Sequence, residues 1–222
     1  MNNQHPVPEA ARLRITEIFH SLQGEGTLTG TPTVFVRLTG CPLRCTYCDT
    51  SYAFQGGEWM TLTEILEKVT AYRCPTVCVT GGEPLAQPAT PELLRRLCDA
   101  GFQVSLETSG ALDLGDVDPR VIKVMDIKTP DSGEAGRNRW ENLKQLNRQD
   151  QIKLVINSHE DYLWARELVE EKRLADICTV LFSPAAPTLN PTQLAEWILE
   201  DRLPVRFQIQ LHKVLWGDSP GH

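Results

Sequence analysis

The feature that most constrains the fold is a series of short apolar runs, each four to six residues long, spread along the 222-residue chain. Seven such runs occupy residues 33–38, 76–80, 103–107, 121–126, 152–156, 179–182 and 205–210. Most of them are nearly continuous in apolar residues, which is typical of parallel strands that are covered on both faces. Helical patterns separate most of the runs, so strand and helix alternate along the chain.

The helical patterns carry start and stop signals. Thr61-x-x-Glu64 is a capping box, and apolar residues follow it with helical spacing up to residue 69. A proline at the first position and a glycine just past the end bound a second helix over residues 90–100. Three more helices are predicted, around residues 140–146, after Ser158, and from residue 191 to about residue 201.

The alternation predicts an α/β fold with a parallel sheet and right-handed crossovers. A closed barrel of eight strands typically needs about 250 residues. This chain is shorter, and the connection over residues 108–120 is too short and too rich in Gly, Pro and Asp for a helix. We therefore expect an incomplete, open parallel β/α barrel. Residues 1–222 are expected to form one domain, with 1–14 as a flexible leader and 213–222 as a segment near the site.

Composition narrows the class of protein. No apolar run approaches the roughly 20 residues of a membrane span, and residues 1–14 contain no apolar stretch typical of a signal peptide. We therefore expect a cytoplasmic protein with no membrane partner. The net charge of −7 argues against binding to nucleic acid. In the cytoplasm thiols stay reduced, so the seven cysteines are not expected to form disulfides.

Polar and glycine clusters directly follow most of the predicted strands. Examples are Gly81-Gly82-Glu83, the segment 107–110, the segment 126–128 and Ser183-Pro184. In parallel α/β folds the carboxyl ends of the strands meet at one face, where ligands bind. The sequence therefore predicts one site that is assembled from most of the chain.

Three cysteines lie within eight residues, at Cys41, Cys45 and Cys48. The pair Cys45-x-x-Cys48 alone could be a redox pair, and a zinc site would need a distant fourth ligand such as His20 or Cys74. Three thiolates on a four-iron cluster leave one iron open to a small molecule, and we favour this interpretation. The other four cysteines, Cys74, Cys78, Cys98 and Cys178, are expected to be structural.

The spacing Cys-x3-Cys-x2-Cys, with Tyr47 before the last cysteine, resembles that of the radical S-adenosylmethionine superfamily. Gly81-Gly82-Glu83-Pro84 after the next strand resembles the element of that superfamily that binds the methionine amino group. Glycine there lets the backbone approach a ligand closely. The resemblance implies an open barrel of the radical S-adenosylmethionine type.

Within that superfamily the chain resembles the 7-carboxy-7-deazaguanine synthases. The resemblance rests on segments 17–26, 35–41, 48–50, 80–84 and 107–110, on Lys128, and on Gln210-x-His212-Lys213. It implies conversion of 6-carboxy-5,6,7,8-tetrahydropterin to 7-carboxy-7-deazaguanine with release of ammonia, on the route to queuosine in tRNA. It further implies a [4Fe-4S] cluster, S-adenosylmethionine, Mg²⁺, an external one-electron reductant of the flavodoxin or ferredoxin type, and a homodimer.

The resemblance also implies roles for individual residues. Cluster ligands would be Cys41, Cys45 and Cys48, and Thr50 would bind Mg²⁺. Residues matching positions that hold S-adenosylmethionine are Tyr47, Gly82, Asp126, Ile127, Lys128, Ser183 and Pro184, although the family often has Gln where this chain has Ser183. Residues matching or expected at the pterin are Leu22, Gln23, Gly24, Arg37, Thr80 and His212. Glu25 and His212 are candidates for moving protons during loss of ammonia.

Chemistry supports some of these roles but leaves alternatives open. The fork of Arg37 suits the substrate carboxylate, but the same residue could form a structural ion pair. Gln23 could cap a turn, Thr50 could be a turn residue, Lys128 a surface lysine and His212 a residue at a strand end.

The C-terminus departs from shorter relatives, whose terminal carboxylate touches the substrate. Here the chain continues past residue 216, and we expect the Asp218 side chain, or nearby backbone, to replace that carboxylate.

Two alternative functions remain at this stage. One is an activase of a glycyl-radical enzyme, which would share the cysteine triplet. The other is a non-enzymatic interaction module that binds a metal.

Overall fold

The computed structural model describes residues 11–217 and contains one sheet of nine strands. The strands are β1 (Arg12–Leu22), β2 (Pro32–Leu38), β3 (Glu58–Thr61), β4 (Thr76–Gly81), β5 (Gln103–Thr108), β6 (Ile122–Ile127), β7 (Gln151–Ile156), β8 (Thr179–Pro184) and β9 (Arg206–Phe207). Their spatial order is β3-β1-β2-β4-β5-β6-β7-β8-β9. All neighbours from β2 to β9 pair in parallel. This is the expected open parallel barrel, in which each parallel strand lies beside the next one in the chain.

Helices connect most of the parallel strands. They are α1 (Leu62–Ala71), α2 (Thr90–Asp99), α3 (His159–Glu171), α4 (Leu174–Ile177), α5 (Pro191–Asp201) and α6 (Leu211–Trp216). The capping box of α1 is present, since the Thr61 side chain accepts from the Glu64 backbone N–H and the Glu64 carboxylate accepts from the Thr61 N–H. Ser158 caps α3 in the same manner by accepting from the backbone N–H of Asp161. As predicted, β5 and β6 are joined without a helix.

The sequence analysis differs from the structure at the amino-terminal edge of the sheet. Strands β1 and β3 were not predicted, and β1 pairs antiparallel with both β2 and β3. Residues 12–14, which we expected in the flexible leader, belong to β1, and Leu13 is fully buried in the core. The reason is that β1 mixes polar and apolar residues and therefore lacks the continuous apolar run that is typical of a parallel strand covered on both faces. Residues 1–10 of that leader lie outside the described residues.

Two smaller differences concern the type and the length of predicted elements. The segment predicted as a helix around residues 140–146 is an irregular 3₁₀ stretch, Trp140–Gln145. The last predicted strand, over residues 205–210, shrinks to β9, and the short helix α6 that follows it was not predicted.

The buried apolar side chains form two clusters along the same sheet. One cluster packs α1 and α2 against β1, β2, β4 and β5, and the other packs α3, α4 and α5 against β6, β7 and β8. Partly buried Leu85 contacts both clusters, so the core continues from one half of the sheet to the other. No helix within residues 11–217 is long and apolar enough to cross a bilayer.

Strand alternation determines which side chains face away from the helices. In β2, Val34 and Val36 lie in the helix-covered core, whereas Phe35 and Arg37 face a cavity on the other side of the sheet. In β7, Ile152 and Leu154 are in the core and Lys153 faces the cavity. Because side chains alternate along a strand, the inner face of the open barrel collects the polar residues of otherwise apolar strands.

Candidate active site

A cavity of about 230 Å³ opens at the carboxyl ends of the parallel strands. Of the residues expected to bind cluster, cofactor, substrate or metal, the following line it: Leu22, Gln23, Gly24, Glu25, Arg37, Cys41, Cys45, Tyr47, Cys48, Thr50, Thr80, Gly82, Asp126, Lys128, Ser183, Pro184 and His212. The fold therefore brings into one cavity residues that are up to 190 positions apart, from Leu22 to His212.

Two residues that we expected at the site are not among those that line the cavity. The side chain of Ile127 is buried in the helix-covered core, since alternation in β6 sends Asp126 to the cavity and Ile127 away from it. Only the main chain of Ile127 is left for contact with a ligand. Asp218 lies outside the described residues.

The cysteine loop forms one wall of the cavity. Cys41, Cys45 and Cys48 are half-buried free thiols. The loop is clamped to the β6–β7 connection, because Thr46 donates from its backbone N–H to the Ser132 carbonyl at 3.1 Å and from its hydroxyl to the Asp131 carbonyl at 2.6 Å. Burial raises the pKa of the Cys41 and Cys45 thiols.

The donor set of this loop fits an iron–sulfur cluster. Within residues 11–217, no group of three His, Cys, Asp or Glu side chains is arranged to hold a single metal ion. A cluster differs from such a site because each thiolate binds a different iron and the sulfurs stand farther apart. Neither His20 nor Cys74, the candidate fourth ligands of zinc, is among the described residues that line the cavity.

The four remaining cysteines are placed as expected. Cys74, Cys78 and Cys178 are buried, and Cys98 is half-buried in α2. Burial raises the pKa of the Cys78 and Cys178 thiols, the latter to about 12. Cys78 and Cys178 are therefore neutral packing residues at physiological pH.

Glycines allow the loop after β4 to lie directly against the cysteine loop. A Cβ at Gly82 would stand 2.2 Å from the Gly40 carbonyl oxygen, and one at Gly81 would stand 2.3 Å from the Leu38 carbonyl oxygen. The two loops are joined by hydrogen bonds from Gly82 N to Leu38 O at 3.2 Å and from Glu83 N to Gly40 O at 2.8 Å. Any other residue at position 82 would push the loops apart.

Glu83 holds the glycine loop after β4 in place. Its fully buried carboxylate accepts from the Thr108 hydroxyl, from the backbone N–H and the hydroxyl of Ser109, and from the Leu85 backbone N–H. These donors satisfy a buried charge that no cation within the described residues neutralises. The segment 107–110 after β5 thus holds the glycine loop after β4.

Arg37 lines the cavity and also forms an ion pair with Glu17. Its Nε donates to the Glu17 carboxylate at 2.6 Å, and its guanidinium lies 5.8 Å from the ring centroids of Phe19 and Tyr52. Burial alone would lower the pKa of Arg37, but the Tyr52 and Glu17 side chains more than offset this effect. The structural ion pair that the sequence left open is therefore real, and it occupies only one edge of the guanidinium.

The loop after β1 closes the open side of the barrel. Gly24 packs so tightly on the His212 ring that a Cβ there would lie 2.2 Å from Nδ1, and its carbonyl accepts from Leu211 N at 3.0 Å. Gly26 donates from its N–H to Gln208 Oε1 at 2.7 Å. Thr27 donates in the same way to Gln151 Oε1 at 2.9 Å. These hydrogen bonds hold the loop after β1 against β7 and against the segment that follows β9.

A row of buried charges crosses the cavity. Lys153 Nζ lies 2.6 Å from Glu25 Oε2 and 3.5 Å from Asp126 Oδ2, and Lys128 Nζ lies 3.2 Å from the same Asp126 oxygen. Burial alone would raise the pKa of Glu25, but Lys153 outweighs it and holds the pKa below its usual range. Lys128 is thus a buried ion-paired residue and not a surface lysine.

Glu107 lies near the same charges, but its pKa is shifted in the opposite direction to that of Glu25. Burial, together with the nearby Glu25 and Asp126 carboxylates, raises the pKa of Glu107 above its usual value. A carboxyl group with a raised pKa takes up a proton more readily than an ordinary one.

Asp49 and Thr50 continue the row at the mouth of the cavity. The Thr50 hydroxyl donates to Asp49 Oδ1 at 2.9 Å, and Gln210 Nε2 donates to Asp49 Oδ2 at 3.1 Å and to Glu25 Oε1 at 2.7 Å. Burial alone would raise the pKa of Asp49, but Gln210, Lys213 and Thr50 lower it to about 2. Thr50 therefore offers an oxygen beside a permanently ionised carboxylate.

Two cavity residues are held neutral by burial. Burial and the Asp126 carboxylate raise the pKa of Tyr47 to about 12. Burial lowers the pKa of His212 below its usual value, so the imidazole is neutral at physiological pH.

Sequence reasoning did not assign a role to Lys153, Glu107 or Asp49. Lys153 and Glu107 lie within strands whose sequences are mostly apolar, and the partners of their charges lie on other strands and loops. A signal was present, because both occupy the alternate positions that face away from the apolar core.

The open barrel and its cysteine loop at the strand ends define the class of this protein as a radical S-adenosylmethionine enzyme. A model of the Radical SAM superfamily matches residues 35–128. The fold agrees, because the crystal structure of QueE from Escherichia coli superposes with a TM-score of 0.76, covering 90% of this chain and 95% of that one at 24% identity.

Curated relatives identify the family within that class. The 7-carboxy-7-deazaguanine synthase of Chlorobaculum tepidum is 47% identical, covering 93% of this chain and 96% of the relative. The one of Koribacter versatilis is 42% identical, covering 92% and 97%. The chain belongs to the 7-carboxy-7-deazaguanine synthase family.

Proposed function

We propose that the chain converts 6-carboxy-5,6,7,8-tetrahydropterin to 7-carboxy-7-deazaguanine with release of ammonia, as a step towards queuosine. The observation that carries this proposal is the single cavity in which three free thiols face Arg37 and the Gln23-Gly24 loop. One wall can hold a radical-generating centre, and the other can hold a carboxylated pterin. The relatives named above make a carbon–nitrogen lyase the favoured class over an activase of another enzyme.

The cofactor side consists of the cysteine loop, the glycine loop and the end of β6. Cys41, Cys45 and Cys48 would hold a [4Fe-4S] cluster, and Tyr47, Gly82 and the segment 126–128 would hold S-adenosylmethionine, together with Ser183 and Pro184. When bound, these groups supply the one-electron chemistry that removes and returns a hydrogen atom at C6 of the pterin. Glu83 keeps the glycine loop in place through its hydrogen bonds.

The substrate side consists of the loop after β1 and the inner face of β2. Arg37 has Nη1 and Nη2 left for the substrate carboxylate, since the recorded hydrogen bond of its side chain uses Nε. Leu22, Gln23, Gly24 and Thr80 would contact the pterin ring. Glu25, which is held ionised, and neutral His212 are both able to accept a proton when ammonia is lost.

Magnesium would bind at Thr50. Asp49 supports this assignment, because its ionised carboxylate accepts from the Thr50 hydroxyl and can also hold a water of the metal. Magnesium usually keeps several waters and takes one or two protein oxygens plus substrate oxygens. The substrate carboxylate on Arg37 would complete the set.

Further parts of the proposal rest on family resemblance and sequence. The chain would receive electrons from an external flavodoxin or ferredoxin type of reductant, act as a homodimer in the cytoplasm and bind neither membrane nor nucleic acid. Asp218, which lies beyond the described residues, would take the place of the terminal carboxylate of shorter relatives. Truncation after Gly217 is then expected to raise the KM for the pterin, and unchanged kinetics would contradict that role.

Cluster assembly tests the cofactor side directly. After anaerobic reconstitution with iron and sulfide, the wild type is expected to be brown and to bind about four irons per chain. Cys45→Ala should lose the colour, whereas Cys98→Ala, which changes a cysteine outside the cavity, should keep it. A fully loaded Cys45→Ala protein, or tight binding of one zinc by the wild type, would contradict the assignment.

A further inference from the structure

Lys153 is a buried cation that the proposed function leaves without a role. It lies on β7, and only 10% of its side chain is exposed. The neighbouring Ile152 and Leu154 point into the helix-covered core, so Lys153 points into the cavity. Burial alone would lower the pKa of its ammonium group, but Glu25 and Asp126 raise it well above the usual value. The residue is therefore a permanent positive charge inside the site.

This ammonium joins two carboxylates, one from the proposed substrate side and one from the proposed cofactor side of the cavity. Glu25 belongs to the loop after β1, which carries Gln23 and Gly24 on the substrate side, and its Oε2 lies 2.6 Å from Nζ. Asp126 ends β6 on the cofactor side, and its Oδ2 lies 3.5 Å from Nζ. Within the described residues, Lys153 is the one cation that is ion-paired with both walls.

We propose that Lys153 is a positioning residue for both ligands, which sets the separation between the substrate loop and the cofactor strand by holding Glu25 and Asp126 to one ammonium group. This inference rests on the proposed function for the identity of the two ligands. It adds a residue that neither touches the reacting atoms nor binds the cluster.

The charge balance explains why an apolar residue could not replace it. Without the ammonium, Glu25 and Asp126 would share one cavity in which the opposing cations are Lys128, the paired Arg37 and Lys213, whose own partner is Asp49. Like charges in a poorly solvated site repel each other, and one of them takes up a proton or turns away. The loop that carries Glu25 would lose its anchor to β7, and Asp126 would keep only Lys128.

The chain provides a matched control in Lys123. This lysine lies on β6, its side chain is 4% exposed, and its Nζ is 3.1 Å from Asp150 Oδ2. Both lysines are therefore buried and ion-paired on neighbouring strands, but neither Lys123 nor Asp150 lines the described cavity. A purely structural loss should affect both variants in the same manner.

The test measures binding in the reconstituted protein without reductant, so that no turnover occurs. The dissociation constants of the tetrahydropterin and of S-adenosylmethionine are measured separately by calorimetry for the wild type, Lys153→Met and Lys123→Met. Lys153→Met is expected to weaken both ligands by about tenfold or more, because it leaves buried carboxylates unpaired. Lys123→Met should change either affinity by less than about twofold, although it lowers the melting temperature.

The pH dependence separates positioning from simple destabilisation. The wild type keeps Glu25 ionised, so its pterin affinity should be flat from about pH 6.5 to 8. In Lys153→Met the pKa of Glu25 rises through burial, and affinity should increase with pH as the carboxyl group ionises. The other charged or titratable groups that line the site are Arg37, Cys41, Cys45, Tyr47, Cys48, Asp49, Glu107, Asp126, Lys128, His212 and Lys213.

A charge-conserving variant completes the test. Lys153→Arg is expected to restore the flat pH profile even if its larger fork leaves the affinity below that of the wild type. Lys153→Gln replaces Lys153→Met in every measurement if the latter does not fold.

The outcomes separate the two claims. Wild-type affinities in Lys153→Met, or equal losses in Lys153→Met and Lys123→Met, would overturn the positioning role while leaving the proposed function intact. Failure of the wild type to bind the pterin would defeat the proposed function, and this inference with it.

Discussion

Arg37 illustrates how one residue can serve both structure and ligand binding. Its Nε is committed to Glu17, and the aromatic rings of Phe19 and Tyr52 lie close to its guanidinium. These contacts fix the plane of the fork and leave the terminal nitrogens for a ligand. A fork that is already oriented loses less entropy when it binds a carboxylate.

Replacing Arg37 by lysine tests this role. The variant keeps the charge but loses the bidentate geometry, so the KM for the carboxypterin should rise by about tenfold or more. Steady-state kinetics at saturating S-adenosylmethionine measures the effect. Arg95→Lys, in an exposed ion-pair network on α2, is the control and should leave KM unchanged. Equal KM values for both variants would remove Arg37 from the substrate site.

Glu83 shows how a residue outside direct ligand contact can control the site. Its carboxylate has no ion-pair partner among residues 11–217 and depends on donors from Thr108, Ser109 and Leu85. Hydrogen bonds to a buried charge contribute more than neutral ones, and their donors would be left unsatisfied without it.

Glu83→Ala should therefore lower the free energy of unfolding by about 2–4 kcal/mol. Urea denaturation of the cluster-free protein measures this change. Glu171→Ala removes an exposed carboxylate that pairs with Lys172, and it should cost no more than about 1 kcal/mol. A loss in Glu83→Ala as small as that of the control would show that the glycine loop does not depend on Glu83.

At the scale of elements, the contact between the glycine loop and the cysteine loop connects fold and chemistry. Gly81 and Gly82 let the end of β4 lie against Gly40 and Cys41 with direct backbone hydrogen bonds. The cysteine loop is held on its other side by the β6–β7 connection through Thr46. Three elements that are distant in the chain therefore determine where the thiols stand.

Gly82→Ala should disturb this contact, because the added Cβ would meet the Gly40 carbonyl oxygen and the Cys41 Cβ. Both neighbours are backbone or near-backbone atoms and cannot move freely. The expected result is a lower iron content after reconstitution and weaker binding of S-adenosylmethionine, as measured by iron analysis and calorimetry. Gly136→Ala is the control, since a Cβ there would meet nothing within 4 Å. Full cluster loading and unchanged affinity in Gly82→Ala would contradict the argument.

Elements with a local sequence signal could be predicted, and those defined by their neighbours could not. The capping box at Thr61 and the cap at Ser158 use residues three positions apart, so the sequence alone identifies them. Strand β1 carries no such local signal. Its sequence mixes polar and apolar residues, and it forms a strand because it pairs with β2 and β3. For the same reason Lys153 and Glu107 remained unassigned, since their charges interact with residues of other strands.

For the whole molecule, the open sheet explains how one cavity can be assembled from almost the entire chain. The parallel strands run in chain order from β2 to β9, and the loop after β1 returns to β7 and to the segment after β9. This return places the substrate residues opposite the cysteine loop. A row of hydrogen bonds and ion pairs from Asp49 through Gln210, Glu25 and Lys153 to Asp126 runs across the same gap.

The central claim is that this single cavity performs the ring contraction. The most direct measurement is the mass of the product after anaerobic incubation of the reconstituted chain with reductant, S-adenosylmethionine, Mg²⁺ and 6-carboxy-5,6,7,8-tetrahydropterin. The expected products are 7-carboxy-7-deazaguanine and ammonia in equal amounts, with no product from Cys45→Ala. Cleavage of S-adenosylmethionine without conversion of the pterin, from a chain with a full cluster, would contradict the central claim.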